Sequence, residues 1–248
     1  MSGLLESKVV LLVGASTGIG VDAARVFAEE GASVMLAARS ADALEQLATE
    51  LQDAGHDVDF VAADVASPAE VAHMVDATVE RFGRLDGAFN NAGITQTGLL
   101  HEVSEEDFDR IMAVNVKGVW LCLREQLRVM RPAGRGAIVN TSSVGGYKGS
   151  SGFGAYQATK HAVIGLSRTA AHDNGPSGIR VNVVAPGPTD TAMIRSMPPE
   201  MLQARISAMP LRKIATGTEV GNAAAWLLSD RASHVSGVVL PVEGGFTA

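Results

Sequence analysis

The chain has 248 residues, of which 46% are hydrophobic and 19% are charged, and its formal net charge is −7. This composition is typical of a single globular domain and excludes a disordered or fibrous protein. The 20 basic residues are outnumbered by 27 acidic ones and are scattered, so the sequence shows no electrostatic footprint for nucleic acid.

The cysteine count and the N-terminus bear on the cellular compartment. Cys122 is the single cysteine, which excludes an intrachain disulfide and favours a reducing compartment. The first residues lack the apolar segment of a signal peptide, and no apolar run approaches the ~18 residues that span a bilayer. We therefore expect a cytoplasmic protein without a membrane anchor.

Short β-branched runs alternate with longer amphipathic stretches along the whole chain. The runs predict seven strands, at 8–13, 33–37, 58–62, 85–89, 137–141, 180–184 and 238–242. The stretches between them predict helices near 19–30, 41–54, 68–82, 104–131, 155–173 and 218–229, several opened by a capping or first-turn residue: Ser40, Pro68, Ser104 and Thr218. Strict alternation predicts a doubly wound α/β fold, Rossmann-like, with a seven-stranded parallel sheet and helices on both faces.

Residues 187–217 form the one long stretch without clear periodicity, and they are rich in methionine and proline. A loop of this length in a compact domain is usually functional, so we expect a lid over a substrate. Its adaptable apolar surface would comprise Met193, Ile194, Met197, Met201, Ile206 and Met209. The alternative is that these side chains only pack the lid onto the body of the domain.

The loop after the first predicted strand is rich in glycine and leads directly into a helix. It reads Gly14-Ala15-Ser16-Thr17-Gly18-Ile19-Gly20. Ligands of open parallel sheets bind beyond the carboxyl ends of the strands, and the amides of a helix N-terminus suit a pyrophosphate. The spacing G-x-x-x-G-x-G differs from G-x-G-x-x-G, so the loop alone also fits a plain strand-to-helix turn.

The same loop also satisfies G-x-S-x-G, the nucleophile elbow of α/β-hydrolases. Asp190 or Asp230, followed by His234, would complete the order Ser, Asp, His that this class shows. The oxyanion hole of such an elbow requires a loop from an earlier strand, and Ser16 follows the first strand of the chain. A hydrolase therefore remains only as an alternative from a different class.

Tyr156 and Lys160 stand four residues apart at the start of a predicted helix and share one face of it. Chance alone predicts about 0.04 such Y-x-x-x-K pairs in a chain with so few tyrosines and lysines. A phenol titrates near ~10, and an adjacent ammonium favours the phenolate, which brings proton exchange closer to neutral pH. The alternative is an ordinary i to i+4 pair on a helix surface with no catalytic role.

Together these motifs resemble the short-chain dehydrogenase/reductase family over essentially the whole chain. Ser143 lies thirteen residues before Tyr156, which is the spacing of that family. The sequence departs from the family where Val13 replaces a usual Thr and Glu243 a usual Asp. The resemblance rests on a set of motifs in the family's order: Gly14, Gly18 and Gly20, Asp64-Val65, Asn90-Asn91-Ala92-Gly93, Asn115, Ser143, Tyr156 with Lys160, and Pro186-Gly187.

The resemblance implies a catalytic role for four residues. Tyr156 would be the general acid for ketone reduction and the base for alcohol oxidation, while Ser143 would hydrogen-bond the carbonyl oxygen. Lys160 would lower the pKa of the tyrosine and hold the nicotinamide ribose, and Asn115 would anchor a water that relays protons. This division is chemically sound, because hydride transfer to a carbonyl builds alkoxide charge that needs a proton and a donor.

The resemblance also implies a nicotinamide cofactor. Ala38 and Arg39 stand where an acidic residue would bind the adenosine ribose and repel a 2′-phosphate, and a guanidinium suits a phosphate. We therefore expect NADP(H), with NAD(H) as the alternative if Arg39 only stacks on the adenine. The cofactor-binding residues would be Gly14, Ser16, Thr17, Gly18, Ile19, Gly20, Arg39, Asp64, Val65, Asn91, Ala92, Gly93, Tyr156, Lys160, Pro186, Gly187, Thr189 and Thr191.

The expected function is a carbonyl reductase or alcohol dehydrogenase acting on a small apolar ketone or secondary alcohol. The rival within the family is a 3-oxoacyl-[acyl-carrier-protein] reductase, which tends to have Arg where this chain has Ser177. A nucleotide sensor without catalysis would have no need of the Tyr156 and Lys160 pair. The histidines form no metal-binding pattern, so no metal is expected.

The apolar C-terminal segment bears on assembly. Phe246 follows the last predicted strand and is too apolar to lie free in water without cost, which places it at a subunit contact or against the lid. We expect a homotetramer, with a dimer as the runner-up, because closed symmetric oligomers are common among enzymes.

Overall fold

The predicted strands form one parallel sheet in the order β3-β2-β1-β4-β5-β6-β7, which confirms the doubly wound fold. The structure is a computed structural model, and it describes residues 3–195 and 199–248. The strands are β1 Val9–Val13, β2 Ser33–Ala38, β3 Val58–Ala62, β4 Gly87–Asn90, β5 Gly136–Thr141, β6 Ile179–Pro186 and β7 Val239–Val242. The helices are α1 Ile19–Glu29, α2 Ala41–Asp53, α3 Pro68–Phe82, α4 Glu105–Met112, α5 Gly118–Ala133, α6 Gly154–Asn174, α7 Ala192–Arg195, α8 Pro199–Ala208 and α9 Gly217–Leu228.

Helices cover both faces of the sheet and bury a core on each. Successive strand residues point to opposite faces, so Leu12 belongs to one core and Leu11 to the other. The first core packs β1 against α1, α2 and α9, and the rings of Phe27 and Phe89 meet edge to face in it, with centroids 5.8 Å apart. The second core packs the sheet against α3, α5 and α6. Burial on both faces explains why the strands read as continuous apolar runs.

The helix predicted at 104–131 is two α-helices joined by a π-helical turn, Ala113–Lys117. The start of α4 is as expected, since the Ser104 side chain accepts a hydrogen bond from the Asp107 amide. The π turn contains Asn115, which is buried. Single π turns inside helices often mark functional sites, because the extra residue redirects a side chain.

The last helix begins at Gly217, one residue before the predicted start at Thr218. Thr216 is the N-cap of α9 and forms a capping box with Glu219, each bonding the backbone of the other. The reciprocal bonds satisfy two amides that would otherwise lack partners. Ser40 is the N-cap of α2 but makes no side-chain capping bond, whereas Pro68 opens α3 as expected.

Residues 187–217 contain two short helices, α7 and α8, that the sequence pattern does not reveal. Ile194 and Met209 are buried and Ile206 is half-buried. Met197 lies outside the described residues, and so do the side chains of Met193 and Met201. Within the described ranges, none of the helices has the length and apolarity needed to cross a membrane.

Candidate active site

A cavity of about 870 Å³ opens at the carboxyl ends of the strands. It lies where the strand order reverses between β1 and β4, which is where open α/β sheets bind their ligands. The cavity brings together three of the four predicted catalytic residues and all but one of the predicted cofactor residues. Its lining includes Gly14, Ser16, Thr17, Gly18, Ile19, Arg39, Asp64, Val65, Asn91, Ala92, Gly93, Ser143, Tyr156, Lys160, Pro186, Gly187, Thr189 and Thr191.

The glycines of the first loop have distinct steric roles. Gly14 has φ +89°, and a Cβ there would lie 2.5 Å from the amide nitrogen of Ala92. Gly20, the predicted cofactor residue that does not line the cavity, packs where a Cβ would collide with the Gly14 carbonyl. Gly18 is the N-cap of α1. The loop therefore brings the N-terminus of α1, with its partial positive charge, to the cavity wall.

Polar contacts join the loops that follow β1, β4 and β5. The Asn91 amide donates to the Gly14 carbonyl at 3.3 Å and accepts from the Thr141 hydroxyl at 3.2 Å. Thr189 donates to the Gly187 carbonyl at 3.0 Å. These contacts use residues predicted from the sequence to bind the cofactor, and they give the cavity floor a defined shape.

The remote end of the cavity is formed by the ends of β2 and β3. Arg39 is exposed there and makes no ion pair with any carboxylate in the described part of the chain. Asp64 accepts from the Ala66 amide, and its own amide donates to Glu70 at 2.8 Å. The donor set of helix amides, a guanidinium and the Lys160 ammonium fits the phosphates and ribose hydroxyls of a nicotinamide dinucleotide.

Ser143 and Tyr156 meet in the middle of the cavity. Ser143 stands at the end of β5, in extended backbone, and its hydroxyl accepts from the Gly145 amide at 3.1 Å. Tyr156 is in the first turn of α6, and Phe153 packs edge-on against its ring. Burial raises the pKa of Tyr156, and the hydrogen bond with Ser143 opposes that rise. The phenol is therefore protonated at neutral pH.

Lys160 lies one helical turn beyond Tyr156 and is buried. Its ammonium donates to the Thr141 carbonyl at 2.9 Å and lies 5.6 Å from the centroid of the Tyr156 ring. Burial lowers the pKa of Lys160 to about 8. The ammonium lies within one helical turn of the phenol, and the expectation that it lowers the tyrosine pKa stays a prediction.

Asn115 stands behind the cavity wall and does not line it. Its side chain accepts from the Ile94 amide and donates to the Ile94 carbonyl, both at 2.8 Å. It also donates to the Thr159 hydroxyl at 3.1 Å, and Thr159 donates to the carbonyl of Tyr156. The π turn thus links the loop after β4 to the helix that carries Tyr156.

Some residues of the cavity wall were not identified from the sequence. Phe153, the N-cap residue of α6, and Gln157 flank Tyr156 and line the cavity. Phe246, expected at a subunit contact or against the lid, lines the cavity beside Ile194 of α7. A search for residues three or four positions from Tyr156 would have found Phe153, whereas no local signal links Phe246 to the site.

Sequence comparison places this geometry in a known family. The family model described as "Enoyl-(Acyl carrier protein) reductase" matches residues 14–247. The chain is 42% identical to an A-factor type γ-butyrolactone 1′-reductase (1S-forming) of Streptomyces virginiae, over 99% of this chain and 97% of the relative. It is 39% identical to a cis-4-hydroxycyclohexanecarboxylate dehydrogenase of Sinomonas cyclohexanicum, over the full length of both. The chain belongs to the short-chain dehydrogenase/reductase family.

Solved structures give the same result for this short-chain dehydrogenase/reductase. The crystal structure of levodione reductase superposes with a TM-score of 0.94 at 37% identity and covers 97% of this chain and 98% of its own. An NAD⁺-bound xylitol dehydrogenase gives 0.93 at 33% identity and covers 97% of this chain and 99% of its own. The chain is therefore an NAD(P)-dependent oxidoreductase acting on CH–OH groups.

The short-chain dehydrogenase/reductase geometry leaves the hydrolase alternative without support. Asp190 is paired with Arg195 at 2.7 Å, and Asp230 with Lys8 at 2.8 Å. His234 is exposed and lies outside the cavity lining. Burial raises the pKa of the lone cysteine thiol, at position 122, to about 12, which makes it a poor nucleophile. Among the described residues, no three His, Cys, Asp or Glu side chains form a metal-binding group.

Proposed function

We propose that this chain is a carbonyl reductase or alcohol dehydrogenase that prefers NADP(H) and acts on an apolar ketone or the matching secondary alcohol. The observation that supports this most is the meeting of Ser143, Tyr156 and Lys160 in one cavity with the glycine loop. Apolar side chains line the same cavity, namely Ile94, Val144, Phe153, Ile194 and Phe246, and Phe153 packs against the Tyr156 ring.

Tyr156 and Ser143 supply the polar chemistry. A bound nicotinamide would give or take the hydride. Ser143 would donate a hydrogen bond to the substrate carbonyl oxygen, and Tyr156 would deliver the proton that the growing alkoxide needs. The raised pKa of Tyr156 suits it to the acid role in reduction, since the proton is present at neutral pH. In oxidation the same phenol would have to lose that proton, which favours alkaline conditions.

Lys160 and Asn115 act around this pair in the proposal. The Lys160 ammonium lies where a Cβ at position 93 would contact it at 3.5 Å, so it faces the loop that would hold the ribose. Asn115 fixes Ile94 and, through Thr159, the backbone of Tyr156. We assign Lys160 to the ribose hydroxyls and Asn115 to the proton path from Tyr156.

Arg39 supports the choice of NADP(H). It follows Ala38 at the end of β2, lines the cavity, and has no carboxylate partner within the described chain, so its guanidinium can bind a 2′-phosphate. NAD(H) is the alternative, since the xylitol dehydrogenase relative binds NAD⁺.

The substrate class is inferred from the side chains of the cavity wall and from the names of the relatives. The two relatives quoted above are named for a γ-butyrolactone and a cyclohexanecarboxylate, both ring compounds. An aromatic and aliphatic wall suits such a body, so we propose a cyclic ketone or alcohol, with residues 187–217 as its lid. The acyl-carrier-protein substrate is the second candidate.

A panel of ketones and alcohols, each assayed with NADPH and NADH by nicotinamide absorbance, tests the proposal. We expect the enzyme to oxidise NADPH when cyclic ketones are added, and to reduce a 3-oxoacyl thioester poorly. Cofactor binding without turnover of any compound would indicate a sensor and contradict the proposal. Efficient reduction only of the acyl carrier thioester would favour the second candidate.

A further inference from the structure

The charges around the cavity are unevenly distributed. Among the residues that the structure describes, four charged side chains line it, namely Arg39, Asp64, Lys148 and Lys160. The first two lie at the remote end, and Lys160 lies beside Tyr156. Lys148 stands apart from them, on the loop that follows Ser143. The other described residues of the lining are uncharged, and several are apolar: Ile94, Val144, Phe153, Ile194 and Phe246.

The Lys148 ammonium is held against the wall by an aromatic ring. Its Nζ lies 4.1 Å from the centroid of Phe246, a cation–π contact that restrains the side chain. This contact joins the loop after Ser143 to the C-terminal tail. Within the described part of the chain no carboxylate forms a salt bridge with Lys148. Glu243, the acidic residue of that tail, accepts from the Thr247 amide instead.

The half-buried Lys148 ammonium has no salt-bridge partner among the described residues, and an anion bound in the cavity would supply one. We infer that Lys148 is a specificity-determining residue that binds a carboxylate carried by the substrate, on the side of the molecule away from the reacting carbonyl. The inference rests on the proposed function, because it takes the carbonyl of the same molecule to lie at Ser143 and Tyr156.

A carboxylate fits this place better than a phosphate does. Lys148 offers one compact ammonium, which matches a monoanion, whereas a phosphate recruits several donors. The cofactor phosphates are assigned to the N-terminus of α1, on the other side of the cavity. The preferred substrate is therefore an apolar ring that carries a carboxylate and a ketone at separate positions.

Binding of two compounds that have no ketone or alcohol to react tests the role of Lys148 without turnover. Cyclohexanecarboxylate and cyclohexanecarboxamide have the same body and differ in charge, and each is titrated by calorimetry into the protein saturated with NADP⁺. We expect the carboxylate to bind about tenfold more tightly than the carboxamide, as a charge-assisted hydrogen bond provides. Lys148→Met should abolish the difference, Lys148→Arg should retain most of it, and added salt should weaken only the carboxylate.

The matched control removes a positive charge from the amino ends of the strands, opposite the cavity. Lys8 precedes β1 and pairs with exposed Asp230, so Lys8→Met changes net charge equally without touching the cavity. We expect Lys8→Met to bind both probes like the wild type. If the wild type binds the two probes equally, or if Lys148→Met keeps the preference, the inference is wrong.

Kinetics separate this inference from the proposed function. For reduction of 4-oxocyclohexanecarboxylate, Lys148→Met should raise KM about tenfold, while kcat/KM for the methyl ester should change less than about twofold. Reduction of the ester without a preference for the acid would refute the role of Lys148 and leave the proposed function standing. A Lys148-dependent preference in binding with reduction of neither ketone would refute the proposed function instead.

Discussion

The Lys160 ammonium donates a hydrogen bond of 2.9 Å to the carbonyl oxygen of Thr141. This bond ties α6 to the end of β5, the strand that leads directly to Ser143. Because Tyr156 lies one turn before Lys160 on the same helix, the bond also fixes the distance between Tyr156 and Ser143.

Replacing the phenol tests its assignment as the general acid. Tyr156→Phe should lower kcat by at least about 10²-fold, which is the usual contribution of a general acid or base, with the Kd for NADPH nearly unchanged. The chain offers a matched control in its second tyrosine, Tyr147, which is exposed and lies outside the cavity lining. Tyr147→Phe should keep most of the turnover. Wild-type turnover in the Tyr156 variant would contradict the assignment.

The buried ammonium predicts an unusual dependence of stability on pH. The pKa of Lys160 is lowered from 10.5 to about 8, so below pH 8 the group is charged in both states and the full cost of burying it is present. As pH rises from 8 to 10.5 the folded state loses its proton first, and the unfolding free energy increases. Relative to Lys160→Met, the wild type should gain about 3 kcal/mol over this range.

Denaturant unfolding of both proteins at several pH values measures that gain. Tyr156 is present in both proteins, so its own titration largely cancels from the difference. A difference that stays flat between pH 8 and pH 10.5 would show that the ammonium remains charged in the folded protein.

Arg39 is expected to select the cofactor. Arg39→Ala should raise the KM for NADPH roughly tenfold and leave the KM for NADH nearly unchanged, because only the 2′-phosphate loses a charged partner. Steady-state kinetics with each cofactor measure both values. Equal changes for the two cofactors would show that Arg39 contacts a part that they share.

Asn115 should affect both stability and turnover. Asn115→Ala removes three hydrogen bonds and leaves the Ile94 backbone groups unpaired, at a cost of about 2 kcal/mol. We also expect kcat to fall, because Ile94 and Tyr156 are fixed through this side chain. Asn174 is a matched control, since it too is buried and bonds the Ala170 carbonyl. Asn174→Ala should lose stability with little change in kcat.

Assembly is predicted from large apolar side chains that are exposed to solvent. Trp120 of α5 is 44% exposed and Trp226 of α9 is 36% exposed, on opposite faces of the sheet. Exposed tryptophans on both faces suit two interfaces, so we expect a homotetramer, with a dimer as the runner-up. Light scattering coupled to gel filtration reads the mass directly. A fully active monomer at micromolar concentration would overturn the expectation.

Much of the fold was predictable because its signals are local. Each strand of a parallel sheet is buried on both faces, so its residues are apolar in an unbroken run, as in β1. The spacing of Ser143, Tyr156 and Lys160 is likewise a property of a short piece of sequence. These signals placed the sheet and the centre of the cavity correctly.

What escaped prediction depends on contacts between distant residues. The π turn follows from Asn115 bonding Ile94, and periodicity within the helix carries no trace of that contact. The raised pKa of Tyr156 reflects burial, which only the folded chain defines. Lys148 and Phe246 meet across almost a hundred positions. Helix α7 has only four residues, and α8 lacks a distinct apolar face.

The π turn accommodates one extra residue between α4 and α5 without changing the face that either helix turns to the sheet. Each residue advances an α-helix by roughly 100°, and the turn holds one residue more than α-helical geometry would. Deleting Val116 would therefore let this segment close into an ordinary α-helix, with Trp120 still exposed and Leu121 still buried. The loss would fall on Asn115 and its hydrogen bonds with Ile94, at the active site rather than in the core.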